Sequence, residues 1–304
     1  MVIRPRPRHL LYAALLLPAA AWAQQEAGER LHHWSISPYV GLHQPALKAL
    51  NKGEFHAPYE GGAQIVNPAG NNQQGTFSYN TPLPEFDPGS ITGLQFAWHM
   101  NEHHALLAGV SNWQATSTIG SRGLFPLQGA FENMSGTRKA NLSYNEYYLG
   151  WRYNIKTRSR KFRFYTSATL HQLYDIDYRE DFTAVFLSGD ARTFRKTIVI
   201  QAQSTALPLL QGALGGEWFV TDWLSISAEG GLTYTLKDTE MAGAPPTPIR
   251  SDFLATDNVQ VSPPMRFNAA TRNMTYKSEP GGDYQILTLN FDGWKALLKV
   301  TLYY

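Results

Sequence analysis

Ser167, His171 and Asp175 supply a hydroxyl, an imidazole and a carboxylate, the three groups of acyl-transfer chemistry, at intervals of four residues. In an extended chain four residues cover roughly 13 Å, so these three cannot form a triad among themselves. A triad would need neighbours from other segments, and no His-x-Ser pattern offers one, since Ser111-Asn112 lacks a preceding histidine. The adjacent pairs His32-His33 and His103-His104 suggest a metal, but neighbouring residues on a strand point to opposite faces. They read as solvated turn or rim histidines. The sequence has no EF-type loop, zincin helix motif or nucleotide-binding glycine loop, so neither a metal nor a cofactor is expected. With no cysteine, thiolate ligands, cysteine nucleophiles and disulfide staples are excluded.

A larger set of polar side chains shares one property. Glu146, Arg152, Arg163, His171, Asp175, Glu217, Glu229, Lys295 and Lys299 all fall on the polar parity of segments that alternate with apolar residues. Positive and negative members nearly cancel. Charges gathered on an inner face must be paired and hydrogen-bonded, and cross-strand pairing between Glu146 or Arg152 of the fourth segment and Arg163 of the fifth fits that need, with the register left open.

The elements that would position them are strands. Eight alternating segments run over Trp34–Leu42, Ile91–Met100, His104–Trp113, Asn141–Asn154, Lys161–Asp175, Ala206–Phe219, Leu224–Lys237 and Tyr284–Tyr304. Three of the gaps between them are short (Asn101–His103, Ile155–Arg160, Val220–Trp223) and four are long (43–90, 114–140, 176–205, 238–283), in strict alternation. This is the asymmetry of an eight-stranded antiparallel transmembrane β-barrel with four long outer loops, three short periplasmic turns and periplasmic termini. Along the fifth segment Phe162, Phe164, Ala168 and Leu170 oppose Arg163, Tyr165, Ser167, Thr169 and His171, as lipid opposes lumen. Tyr147, Trp151, Tyr153, Trp218, Trp223, Tyr303 and Tyr304 sit near segment ends, where interfacial girdles place aromatic residues. A secreted β-sandwich would alternate too, without those girdles.

Two segments strain the pattern. His104 to Val110 does not choose a face, and in the eighth Leu287, Leu289 and Phe291 share a parity with Lys295 and Lys299. The second conflict predicts that the apolar face switches at a bulge near Gly293, in preference to an Asp292-Gly293 hairpin that would give nine strands.

The N-terminus carries Arg4, Arg6 and Arg8, an apolar run from Leu10 to Ala21 containing Pro18, and Ala21-Trp22-Ala23. This is the layout of a cleaved signal over residues 1–23, leaving a single domain over 24–304; a retained anchor is the alternative. Loss of the three arginines takes the formal charge from +2 to about −1, so nucleic acid is not an expected partner.

The last strand carries a resemblance. Asp292-Gly293-Trp294, then outward Ala296, Leu298, Val300, Leu302 and terminal Tyr304, resemble the closing strand of the small bacterial outer-membrane β-barrel superfamily (OmpA/OmpX/OmpW-like). The resemblance implies insertion by the barrel assembly machinery, with Leu302 and Tyr304 as its signal, although the superfamily's usual terminal phenylalanine is here a tyrosine. It also implies outer-membrane lipid and lipopolysaccharide as surroundings.

An eight-stranded barrel is only wide enough for its own side chains to fill, so a structural polar network is the expected lumen. The run Asp175-Ile-Asp-Tyr-Arg-Glu-Asp181 offers carboxylates to a divalent cation or to lipopolysaccharide-bridging calcium, but Arg179 opposes this. The run reads as a solvated extension in a hairpin that carries strands five and six outward. Aromatic residues in the first loop (Phe55, Tyr59, Phe77, Tyr79, Phe86) and the last (Phe253, Phe267, Tyr276) suit a cap, or else a binding surface. The leading expectation is a non-enzymatic barrel whose outer loops meet an envelope or extracellular partner. The alternatives are a narrow channel for small hydrophobic molecules and a lipid-modifying enzyme.

Overall fold

In the computed structural model each alternating segment becomes a strand, and the strands close into a ring. Residues 32–51, 59–65, 73–79, 83–121, 128–129, 131–155, 157, 161–188, 193–251, 258–263, 265–277 and 283–304 are described; the segment expected to be a signal, 1–23, lies outside them. The barrel strands are β1 (Trp34–Pro45), β2 (Gly89–His99), β3 (His104–Ser121), β4 (Phe131–Ile155), β5 (Phe162–Ser188), β6 (Thr193–Phe219), β7 (Leu224–Thr235) and β8 (Gly293–Tyr303). Each pairs antiparallel with its sequence neighbours, and β1 pairs with β8 from Ser35↔Tyr303 to Pro45↔Gly293. The ring therefore leaves no edge open at the level of the belt.

Its outside is apolar. Val40, Phe96, Leu106, Leu149, Phe164, Leu170, Leu214, Leu232 and Leu298 are all exposed, a belt that only a lipid environment accommodates. Trp34, Trp98, Trp151, Trp218 and Trp223 ring the end that holds the start of β1, the end of β8 and the short turns, while Tyr147, Tyr174, Tyr234 and Trp294 ring the other. Tyr303 departs from the expected girdle: it is buried, because its parity points inward.

The strands are unequal. β1, β2, β7 and β8 have 12, 11, 12 and 11 residues, whereas β3 to β6 have 18, 25, 27 and 27. Half of the wall thus stands above the belt. The β5–β6 hairpin follows the sequence reading, but β3 and β4 extend through most of the segment expected to be an outer loop over 114–140.

A bulge sets the facing of this extension. The β4–β5 register shifts between Ser143 and Asn145, opposite Asp175, which has φ 49°. Beyond it the inward residues of β5 are Ile176, Tyr178, Glu180, Phe182, Ala184 and Phe186. The bulge turns Asp175 out to solvent, so it does not belong to the lumen set.

The expected face switch in the eighth segment does not occur. Leu287, Leu289 and Phe291 are buried on the same inward parity as Lys295 and Lys299; they are apolar because the outer half of the interior is itself apolar. β8 starts at Gly293, and among the described residues neither a bulge there nor the Asp292-Gly293 hairpin forms. Before it, Thr288–Leu289 pairs with Thr239–Glu240, and Tyr284–Ile286 with Met274–Lys277. β3 likewise chooses a face: Ala105 and Leu107 point inward, where they meet Ala97 of β2, and Leu106 and Val110 point outward.

Loops fill the raised half-barrel. In the first loop Tyr59–Ile65 pairs with Gln73–Tyr79 and with Asn258–Ser262 from the last loop. Tyr59, Phe77, Tyr79 and Phe86 are buried, with Tyr59 stacked on Phe182 at 3.8 Å and Phe77 edge-on to Phe186 at 5.3 Å. Met241, Met265 and Met274 complete the apolar filling. Phe55 and Phe253 lie outside the described residues.

Candidate functional site

Eight of the nine residues read from sequence as lumen groups face the barrel interior, and they fall into three clusters stacked along it. The cluster nearest the short turns centres on Glu217 of β6. It receives Arg152 from β4, Arg163 Nη2 from β5 at 2.7 Å, Ser225 Oγ from β7 at 2.5 Å and the Tyr303 hydroxyl from β8. One carboxylate thereby ties together five strands, and Arg152 also lies 3.7 Å over the Tyr165 ring. The middle cluster joins Lys299 to Glu229 at 2.8 Å and to Gln95 Oε1 at 2.9 Å. In the third, Glu146 accepts from Lys295 Nζ at 2.8 and 3.0 Å, from Ser111 Oγ at 2.6 Å and from His171 Nδ1 at 3.1 Å.

Glu146 does not pair with Arg163 across the strands; Arg152 and Arg163 both engage Glu217. Residues six and more apart on tilted strands lie at different heights, and Glu146 meets the lysine of β8 at its own level. Each buried carboxylate thus has at least one cation, and Glu146 and Glu217 have hydroxyl donors as well, the condition under which a buried charge is tolerated.

Three tyrosines fill the space between clusters. Tyr39, Tyr148 and Tyr165 lie over their cross-strand partners Gly93, Gly109 and Gly215. A Cβ at any of these glycines would fall within the tyrosine ring's van der Waals envelope, so glycine is needed for close approach. Above Glu146 the polar column ends. His43 Nδ1 bonds the Tyr144 hydroxyl at 2.7 Å, and Trp113 Nε1 donates to the His43 carbonyl at 3.1 Å. Trp113, Tyr144 and Phe291 then close the interior with stacked and edge contacts at 5.0 to 6.0 Å.

One arrangement has the order of a catalytic relay. His171 Nδ1 faces Glu146, and His171 Nε2 lies 2.7 Å from the Thr169 hydroxyl. Ser167 is also inward but makes no hydrogen bond to His171. Among the described residues the relay is tightly packed: Thr169 and His171 are buried, Glu146 is held by Lys295, and the cavity among them and Gln211 holds on the order of one water.

His103 and His104 stack on Tyr153 and Trp151 beside the short turn, with His103 Nδ1 bonded to the Asn154 carbonyl at 3.0 Å. Among the described residues no three His, Asp or Glu side chains converge as a metal site.

A buried cluster in the raised wall escaped the sequence reading. Glu180 accepts from Arg138 Nε at 2.8 Å, the Tyr59 hydroxyl at 2.8 Å and the Tyr178 hydroxyl at 3.0 Å. Burial, reinforced by the Glu180 carboxylate, holds the Tyr59 phenol well above its ordinary pKa, so it stays a donor. This cluster latches the first loop to the wall. The inward parity of Glu180 is unreadable unless the bulge at Asp175 is known, whereas Arg138 keeps the parity of Glu146 and lies in the segment read as a loop.

The fold and its belt define a membrane β-barrel. No family model and no curated protein matches the chain. Among solved structures it is similar to the outer-membrane protease OmpT of Escherichia coli, at 8% identity and TM-score 0.35 over 89% of this chain and 97% of that one. It is similar to CarO of Acinetobacter baumannii at 11% identity and TM-score 0.29, over 82% and 97%, and to a FadL homologue of Pseudomonas aeruginosa at 10% and 0.19, over 88% and 89%. At such scores the likeness adds nothing to what the strand pairing establishes.

Proposed function

We propose that this chain is a non-enzymatic, integral outer-membrane β-barrel in which the lumen is a structural strut and the outer loops form a surface for an envelope or extracellular partner. The observation that carries this reading is the filled interior, polar below and aromatic above. Outer-membrane placement is supported by the even strand number, the two aromatic rings and the gathering of the start of β1, the end of β8 and the short turns at one end. The periplasm then holds the termini, the barrel assembly machinery reads Leu302 and Tyr304, and lipid and lipopolysaccharide surround the wall. A channel for hydrophobic molecules would need an opening in the wall, whereas neighbouring strands pair along the belt; the β1–β8 seam skips only Ser37 and Pro38, where the Ser37 and Thr301 hydroxyls still meet at 2.9 Å. An enzyme would need a reachable nucleophile.

Protease added to intact cells tests the orientation and the surface role together. Cleavage is expected only within 43–90 and 238–283 and at the tips of the β3–β4 and β5–β6 hairpins. Cleavage within Ile155–Arg160 on intact cells would overturn it.

A further inference from the structure

The middle and third lumen clusters meet at a small cavity, lined among others by Gln211, Ser167, Glu229, Lys295 and Lys299. It has room for on the order of one water. The groups around it hold unspent hydrogen-bonding capacity on both the donor and the acceptor side. Gln211 is 4% exposed, and its Oε1 accepts no hydrogen bond among the described residues. Its cross-strand neighbours cannot supply one, because the Thr169 hydroxyl is engaged with His171 Nε2 and the Thr233 hydroxyl donates to the Phe291 carbonyl at 2.8 Å. The donors lie on β8. An ammonium carries three N–H groups. Lys295 gives two to the oxygens of Glu146, and Lys299 gives two to Gln95 Oε1 and Glu229 Oε2, so each keeps one in hand among the described residues.

We infer that this cavity is a binding site for a single structural water, which donates to Gln211 Oε1 and accepts the remaining protons of Lys295 and Lys299. Three such partners are the usual complement of a buried water. The inference rests on the reading of the lumen as a structural strut and deepens it. Lys299 brings Glu229 and Gln95 to the water, and Lys295 brings Glu146, so the two clusters become one hydrogen-bonded unit. A halide is the competing ligand, since Arg152, Arg163, Lys295 and Lys299 outnumber Glu146, Glu217 and Glu229. It could accept from both lysines, but it has no proton for Gln211 and is larger than the cavity. A metal cation would meet two ammonium groups.

The test is a crystal structure of the full-length mature barrel in detergent, grown once in chloride and once in bromide, at a resolution that shows ordered water. One peak of water density is expected within hydrogen-bond distance of Gln211 Oε1 and both lysine Nζ atoms, with no anomalous signal from bromide there. Gln211→Leu, which takes away the acceptor, should lose that peak while the barrel keeps its heat-modifiable mobility. A bromide peak, a cavity without density in the wild type, or a water that persists unchanged in Gln211→Leu would each overturn the inference. A dry cavity would leave every ion pair of the strut in place, so the strut itself is tested apart from it, by conductance.

Discussion

Glu217 concentrates what single residues do in this molecule. It is buried and carries two arginines and two hydroxyl donors. Glu217→Gln should leave the buried Arg152 and the half-buried Arg163 without their counter-charge, at a cost of about 3–5 kcal/mol, read as a lower unfolding temperature in detergent. The exposed Arg179–Asp181 pair provides the contrast: Asp181→Asn should shift stability by less than about 1 kcal/mol. If the two substitutions shift the unfolding temperature equally, the interior is not bearing on stability. The sequence made eight of these inward residues legible because parity alone decides facing on a regular strand. Asp175 was misassigned and Glu180 overlooked because a bulge on β5 reverses parity and nothing in the local composition marks it; Arg138 keeps the inward parity of Glu146 but fell in the segment read as a loop over 114–140.

At the scale of elements, the closing strand does more than end the chain. β8 brings Lys295 to Glu146, Lys299 to Glu229 and Tyr303 to Glu217, one contact with each lumen cluster. Deleting Leu302–Tyr304 should therefore remove the lowest of these, the edge pairing of Ser35 with Tyr303 and the aromatic terminus at once. The expected result is loss of the heat-modifiable form and periplasmic degradation; normal accumulation would contradict the role given to the strand. Strand number and the alternation of short and long connections were readable from polarity and turn composition. The segment before β8 was misread because Leu287, Leu289 and Phe291 were taken for a lipid face. Hydrophobicity identifies a residue as removed from water, not whether it faces lipid or an apolar plug. The same ambiguity hid the facing of β3, whose inward Ala105 and Leu107 are as apolar as its outward Leu106.

For the whole molecule, the account rests on an interior sealed twice, by ion pairs spanning the membrane section and by aromatic and methionine packing above it. The raised wall of β3 to β6, with the first and last loops folded into it, could not be derived from strand patterning, since it depends on contacts between residues more than a hundred positions apart, such as Tyr59 with Glu180. The aromatic content of those loops was the sole hint. If the seal is as described, the barrel is a support for its surface and not a route through the membrane. Single-channel recording of the purified wild-type barrel in a planar bilayer measures this most directly. No discrete conductance steps are expected at moderate voltage in monovalent salt; stable, reproducible open levels from the folded wild type would contradict a structural lumen.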